Sequence, residues 1–271
     1  VTGADGALLA HAARASRKDA RDAVTAARAA FAAWSGATAY NRGQVLYRVA
    51  ELLDGRAAQF TAVSVQNEGL SAAEADRAVA AAIDRWVWYA GWPDKIAQVA
   101  GSANPVAGPY FNFSVPEPTG VVAVVAPAGS GLLGLVSVLA PVIASGNTAV
   151  VVASEAYPLA AITLAEVLAT SDVPAGVVNV LTGFAAELAP VLAGHMDVNA
   201  IDLTGVGAAG VGAAGVGAAG VGAAGRGELE RLAAGNLKRV FAADEDWAAP
   251  PSPRRMLAFT EIKTVWHPVG I

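Results

Sequence analysis

Few residues in this chain have side chains suited to catalysis, and the most reactive type is missing. None of the 271 residues is cysteine, so these residues offer no thiolate nucleophile, no disulfide and no thiolate metal site. His11, His195 and His267 stand apart with no ligand spacing. Neither a metal centre nor proton transfer is expected of them, and no catalytic residue is assigned. Asp244, Glu245 and Asp246 precede Trp247 as an acidic run, which reads as a solvated linker, with calcium binding as the alternative. Gly205, Gly207 and Gly210 form a G-x-G-x-x-G after the apolar run ending at Leu203. That spacing lets a backbone cradle phosphate, but alone it is a weak signal.

Those glycines belong to a larger oddity. The pentapeptide GVGAA occurs four times in succession from Gly205 to Ala224, before Gly225. Perfect tandem identity marks low-complexity sequence rather than a packed core. A helix there would lose about 1 kcal/mol at each interior glycine relative to alanine, so a protruding loop is expected.

Composition narrows the function classes. The chain is long enough to bury a full core, with 55% hydrophobic and 15% charged residues and a mean hydropathy of +0.46. Alanine supplies much of that figure and glycine is also abundant, and such small residues favour close packing of elements. A net charge of -5 and the absence of a lysine- and arginine-rich run argue against nucleic acid and against an anionic membrane surface as partners. No basic segment followed by an apolar one opens the chain, so a cytoplasmic location is expected. From Gly120 to Ser154 there is no charged residue, longer than the roughly 20 residues a membrane-spanning helix needs. Pro127, Pro141 and the cluster Gly129, Ser130, Gly131 break that run into strand, turn, helix and strand, as in a parallel sheet buried on both faces.

The elements that position these residues follow from periodicity. Ser16 precedes a helix with apolar residues at Ala23, Ala26, Ala27, Ala30, Phe31 and Trp34; Asn41 is expected to cap a second helix running to Gly69, and a third runs from about Ser71. Trp86, Trp88, Tyr89 and Trp92 read as packing. Tyr110 to Val115 alternates as a strand that Pro116 and Pro118 should end. From Gly120 onward, short β-branched runs alternate with helical stretches as far as AIDLTG. That order predicts βαβ units and an α/β, doubly wound parallel sheet.

The stretch from Thr119 to Gly205, with TGVVAVVAPAGSG, VPAGVVNVLTGF and DVNAIDLTG, resembles the NAD-binding domain of the aldehyde dehydrogenase superfamily. SRKDARDAVTAARAAFAAW, AIDRWVWYAGWPDKI, NLKRV and RRMLAFTEIKTVW are similar to further segments of that family, so the likeness covers nearly all the chain. It implies a Rossmann-like cofactor domain over residues 1–104 and 119–240, with N-terminal helices. It also implies a small antiparallel oligomerisation arm over 105–118 and 254–268, and the GVGAA repeat as an insertion over 205–225. NLKRV, which in the family leads into the catalytic glutamate, is followed here by FAADEDWAAPPSP and the last strand. The catalytic domain is therefore expected to be absent, giving about half the family's full length, as for loss of one ordinary domain.

The resemblance also implies site residues. The loop at Pro127-Ala128-Gly129-Ser130 should hold a tryptophan and an oxyanion-stabilising asparagine, but Ala128 and Gly129 offer no side-chain donor. The family's Lys-Pro-Ser-Glu, whose lysine and glutamate bind the adenosine ribose, is Val152-Ala153-Ser154-Glu155, and its Gly-Phe-Gly-Pro is Gly183-Phe184-Ala185-Ala186. Thr204 and Gly205 keep the pyrophosphate turn, while Val206 replaces a serine. Pro127, Ser154, Glu155, Gly183, Thr204 and Gly205 are thus the vestigial cofactor-binding positions, with no NAD or weak NAD expected. Glu155 also reads as a charge at a helix start, and Gly183 and Gly205 as turn glycines.

In the family the arm adds its edge to a neighbouring subunit's catalytic domain. Phe111, Phe113, Phe259, Ile262, Val265 and Trp266 are its implied oligomerisation residues. The reading that follows is a non-catalytic subunit, a pseudoenzyme, assembled with a full-length aldehyde dehydrogenase as a hetero-oligomer, with self-association as a further state. Two alternatives stand beside it: an NAD-dependent aldehyde oxidoreductase subunit using a partner's cysteine, and an NAD-binding sensor.

Overall fold

The computed structural model describes residues 1–207 and 225–270. All but the start of the GVGAA repeat therefore lies outside the described residues. Helix α1 spans Arg17–Gly36, and its start is fixed by a capping box in which the Ser16 hydroxyl accepts from the Asp19 N–H while the Asp19 carboxylate accepts from the Ser16 N–H. Helix α2 spans Ala39–Asp54 and is capped by Thr38, whose hydroxyl accepts from the Asn41 N–H. Asn41 is thus inside the first turn, and the expected cap was three residues too late. The expected single helix to Gly69 is also broken. Gly55 closes α2, α3 runs Ala57–Val63, one π-turn follows at Ser64–Glu68, and Gly69 reverses the chain at φ +74°. The break lets Phe60 turn fully into the core. Helix α4, Ala72–Ala90, begins at the Ser71–Glu74 capping box, and α5 is a short turn at Ile96–Ala100.

Two sheets follow. The larger is built from β3 (Val121–Val125), β4 (Thr148–Val152), β5 (Val178–Leu181), β6 (Ala200–Asp202) and β7 (Arg239–Phe241), in the order β5-β4-β3-β6-β7, every pair parallel. Helices α6 (Leu133–Ala144), α7 (Pro158–Ala169), α8 (Ala185–Gly194) and α9 (Arg226–Ala233) make the connections. Chain direction puts α2, α4, α6 and α7 over one face and α1, α8 and α9 over the other, so two apolar cores form. Every residue of β3 and β4 is buried, as expected of central parallel strands covered on both faces. Trp86 and Tyr89 lie in the first core, with the Trp88 ring edge-on to Tyr89 at 4.8 Å. The charge-free run from Gly120 is β3, α6 and β4, and no helix among the described residues is long and apolar enough to cross a membrane.

The smaller sheet is antiparallel, in the order β1-β2-β8, from β1 (Ser102–Asn104), β2 (Tyr110–Pro118) and β8 (Thr260–Pro268). β2 passes through Pro116 and Pro118 instead of ending there. β1 pairs only with Asn112–Ser114, so the outer edge of β2 is open at both prolines and their missing N–H groups cost no ladder bond. Helix α10, Arg254–Ala258, leads into β8. Ala258 and Phe259 therefore precede the strand. Phe259 is fully buried beside Phe241, ring centroids 6.0 Å apart, and its carbonyl accepts from Asn147 Nδ2 at 2.8 Å. It was expected on the docking face; the turn out of α10 points it inward, where it anchors the arm to the core. Phe111, Ile262 and Trp266 are 50%, 57% and 58% exposed, while Phe113 and Val265 face one another across the ladder, half-buried.

These placements separate anchor from arm. Phe259→Ala should destabilise by about 3–5 kcal/mol, as for a large aromatic removed from a packed core, and Trp266→Ala should stay within about 0.5 kcal/mol. Urea unfolding of the two variants checks this, and equal losses would contradict it.

Candidate functional site

The strand order reverses between β3 and β6, and in a doubly wound sheet the crevice beyond the carboxyl ends of such strands is where ligands bind. One wall is the turn after β3. Ala128 and Gly129 are exposed there, the Gly131 N–H donates to Glu68 Oε2 at 2.9 Å, and the Gly134 N–H donates to Ser130 Oγ at 2.8 Å. Pro127 sits in this turn next to Ala126, which β4 holds through the Val152 carbonyl. The other wall is the turn after β6. Gly205 donates to the Val125 carbonyl at 3.1 Å, and a Cβ on it would be driven into the carbonyl oxygens of Val125 and Ala126. Glycine is therefore required by the approach of the two walls themselves. Val206 is fully buried in the second core, where the family likeness implied a serine.

The remaining expected positions are brought to the same edge of the sheet but are occupied by internal contacts. Ser154 donates its hydroxyl to the Ala128 carbonyl at 3.1 Å and accepts from the Tyr157 N–H at 3.2 Å. Glu155 accepts from the Ala185 N–H at 2.6 Å. It is a helix-start charge, but for α8 rather than for the next helix in sequence, α7. Gly183 has φ +137° and lies against the backbone of Ala15. Beside it a cavity of about 260 Å³ is lined by His11, Arg14, Glu155, Thr182, Gly183 and Phe184. Arg14 stacks over the Phe184 ring at 4.5 Å and pairs with Glu187.

A charged cluster outside all the expected positions lies at the end of β6. Asp202 is fully buried and ion-paired with Arg255, whose side chain is 3% exposed. Arg255 Nη1 also donates to Thr204 Oγ1 at 3.0 Å, its Nη2 meets Glu245 at 2.8 Å, and its guanidinium lies 4.6 Å from the centre of the Phe241 ring. Asp202 Oδ1 accepts from the Thr204 N–H at 2.9 Å. Burial pushes the Asp202 carboxyl up against the pull of Arg255. Burial works equally to lower the Arg255 guanidinium, but Asp202 and Glu245 together hold it above its ordinary value. Breaking such a pair from one side costs about 3–5 kcal/mol because it strands the other charge. Glu245, expected in a solvated linker, is exposed like Asp244 and Asp246 but pairs with this arginine. A signal was present in the sequence: one acid in the apolar run AIDLTG needs a buried cation.

Two substitutions test these assignments. Glu155→Ala should cost about 1 kcal/mol through the lost cap on α8, whereas a carboxylate reserved for a ligand would leave the melting curve unmoved. Gly205→Ala should cost about 1–3 kcal/mol by overpacking the two walls, read in the same thermal scan.

Residues 1–220 match the family model described as the aldehyde dehydrogenase family. The chain is 37% identical over 172 residues to (Z)-2-((N-methylformamido)methylene)-5-hydroxybutyrolactone dehydrogenase of Acinetobacter baylyi, covering 63% of this chain and 35% of that protein. It is 31% identical over 171 residues to Omega-crystallin of Enteroctopus dofleini, covering 63% and 34%. Among solved structures, PnpE from Pseudomonas sp. WBC-3 superposes with a TM-score of 0.76 at 28% identity, covering 88% of this chain and 45% of PnpE. PnpE has also been solved in complex with nicotinamide adenine dinucleotide. The chain thus spans about a third of the length of the curated relatives it matches. With the parallel sheet, the crevice turns and the antiparallel arm all in place, this chain belongs to the aldehyde dehydrogenase family.

Proposed function

We propose that this chain is a non-catalytic aldehyde dehydrogenase-family subunit that assembles with a full-length catalytic member of the family. The observation that carries the reading is the contrast between arm and crevice. β8 is the edge strand of the small sheet, with Ile262 and Trp266 exposed along it, a surface suited to strand addition by a partner. At the crevice, Ala128, Gly129, Val152 and Ala153 bring no side-chain donor, and no cysteine is present to supply a thiolate. Ser154 and Glu155 already serve the backbone of this chain.

These residues do not fit a tightly held dinucleotide. A bound pyrophosphate would lie beside Thr204, whose hydroxyl already accepts from Arg255. Extending β8 requires only backbone hydrogen bonds and alternating side chains, so the arm keeps its use without the chemistry.

The test is co-expression with a full-length aldehyde dehydrogenase and native mass measurement. A mixed assembly that is lost on Ile262→Lys is the expected result, because a charge on the added edge opposes pairing. A clean monomer in the presence of excess partner would sink the reading. Aldehyde oxidation by this chain alone would refute it from the other side.

A further inference from the structure

The open edge of β8 is defined by the ladder on its other side. Tyr110–Pro118 pairs with Thr260–Pro268 in a continuous register. The hydrogen bonds that bracket this ladder run from the Val269 N–H to the Pro109 carbonyl at 2.9 Å and from the Thr119 N–H to the Phe259 carbonyl at 3.3 Å. Antiparallel pairs alternate between hydrogen-bonded and non-hydrogen-bonded, so the odd-numbered residues of β8 direct their N–H and C=O groups to β2. Those of Ile262, Thr264 and Trp266 point the other way, where no strand lies among the described residues. The prolines agree with this parity, since Pro116 and Pro118 face Ile262 and Thr260, the pairs that exchange no ladder bond.

The side chains along this edge are complementary to themselves. When two copies of β8 lie antiparallel about a twofold axis through Thr264, Ile262 faces Trp266 on either side of the axis and Glu261 faces His267. Thr264 with its own copy and Ile262 with Trp266 become the hydrogen-bonded pairs. The Tyr110 ring stands edge-on to Trp266 at 5.8 Å, which widens the apolar strip beyond the strand itself. Lysine on an edge strand ordinarily opposes pairing, but Lys263 falls opposite Val265 and its ammonium is held by Glu117 of its own sheet at 3.0 Å. Other registers are worse. Sliding the copies by one bonded pair in one direction sets Lys263 against Lys263. In the other direction Lys263 meets His267, and Ile262 meets Pro268, which has no N–H to give.

We propose that the β8 edge pairs with the β8 edge of a second copy of this chain, antiparallel and centred on Thr264, so that the two arms form one continuous sheet. The proposal rests on reading this edge as a docking edge, as above, and names its occupant when no other partner is present. A full-length member of the family then has to displace the second copy before a mixed assembly forms. Strand pairing of this length buries a small interface, at the weak and reversible end of the range, as an exchangeable occupant requires.

Because the chain has no cysteine, a single introduced thiol reads the register. A disulfide needs Cα atoms within about 7 Å. In the proposed register Thr264 meets its own copy, whereas Lys263 and Val265 lie about 8 Å from theirs. Under mild oxidation Thr264→Cys should therefore cross-link to a dimer at least about tenfold faster than Lys263→Cys or Val265→Cys. Thr264→Pro removes an N–H from the open edge and none from the β2 ladder. It should weaken the dimer measured by sedimentation about tenfold, and should it fail to fold, the cysteine variants decide. A parent chain that sediments as a monomer at every concentration overturns the proposal, as does cross-linking no faster at Thr264 than at its neighbours. If that monomer still joins a full-length aldehyde dehydrogenase in an assembly lost on Ile262→Lys, the second copy is ruled out and the docking edge stands. If it joins neither, both readings fall.

Discussion

β3 is the strand on which the remaining structure is built. Its backbone is hydrogen-bonded on one side to β4 and on the other to β6, and its five residues are buried between two helical layers. Val122 and Val124 point into one core, Val121, Ala123 and Val125 into the other. A strand with no free edge and no exposed face fixes the separation of both layers. The turns that leave its carboxyl end are therefore held close to β6, and Gly205 is required because the β6 turn meets the carbonyls of that same strand. Crevice geometry is in this sense a by-product of burying β3.

The same burial explains an expensive feature of the molecule. A carboxylate at the end of β6 has no water, so it needs a cation, and the nearest available chain is the segment returning toward β8. Asp202 thereby pairs with Arg255, and Arg255 in turn with Glu245. Phe241 and Phe259 supply the apolar floor on either side of that arginine. Replacing such a network by apolar side chains is often neutral or stabilising, so its presence here speaks more for selecting one conformation than for stability.

The arm obeys a different rule. Its ladder over β2 and β8 is long, but outside the Phe259 anchor it packs little of its surface on the body. The surface salt bridge of Lys263 with Glu117 dresses its exposed side and that of Arg239 on β7 with Glu261 links it to the body, and pairs of this kind contribute little to stability. What holds the arm is the backbone ladder and one buried aromatic ring. An element secured in that way can present its remaining edge to another chain without unsettling the core.

Much of this was legible in the residues themselves. Alternating β-branched runs and helical stretches specified the parallel sheet, since strands buried on both faces have a composition nothing else requires. Ser16 and Ser71 marked their helices because a capping box lies within four consecutive residues. Glycines at 183 and 205 could be read as turn positions from their places after strands. What sequence could not decide were contacts between segments far apart in the chain. Glu155 caps α8 rather than α7, Phe259 turns inward rather than along the arm, and Arg255 finds Asp202 across 53 positions. Local spacing carries the free energy of caps and periodic faces, so sequence determined the elements and their order. Which buried charge meets which depends on where desolvation is forced by packing, and only the tertiary structure settles that.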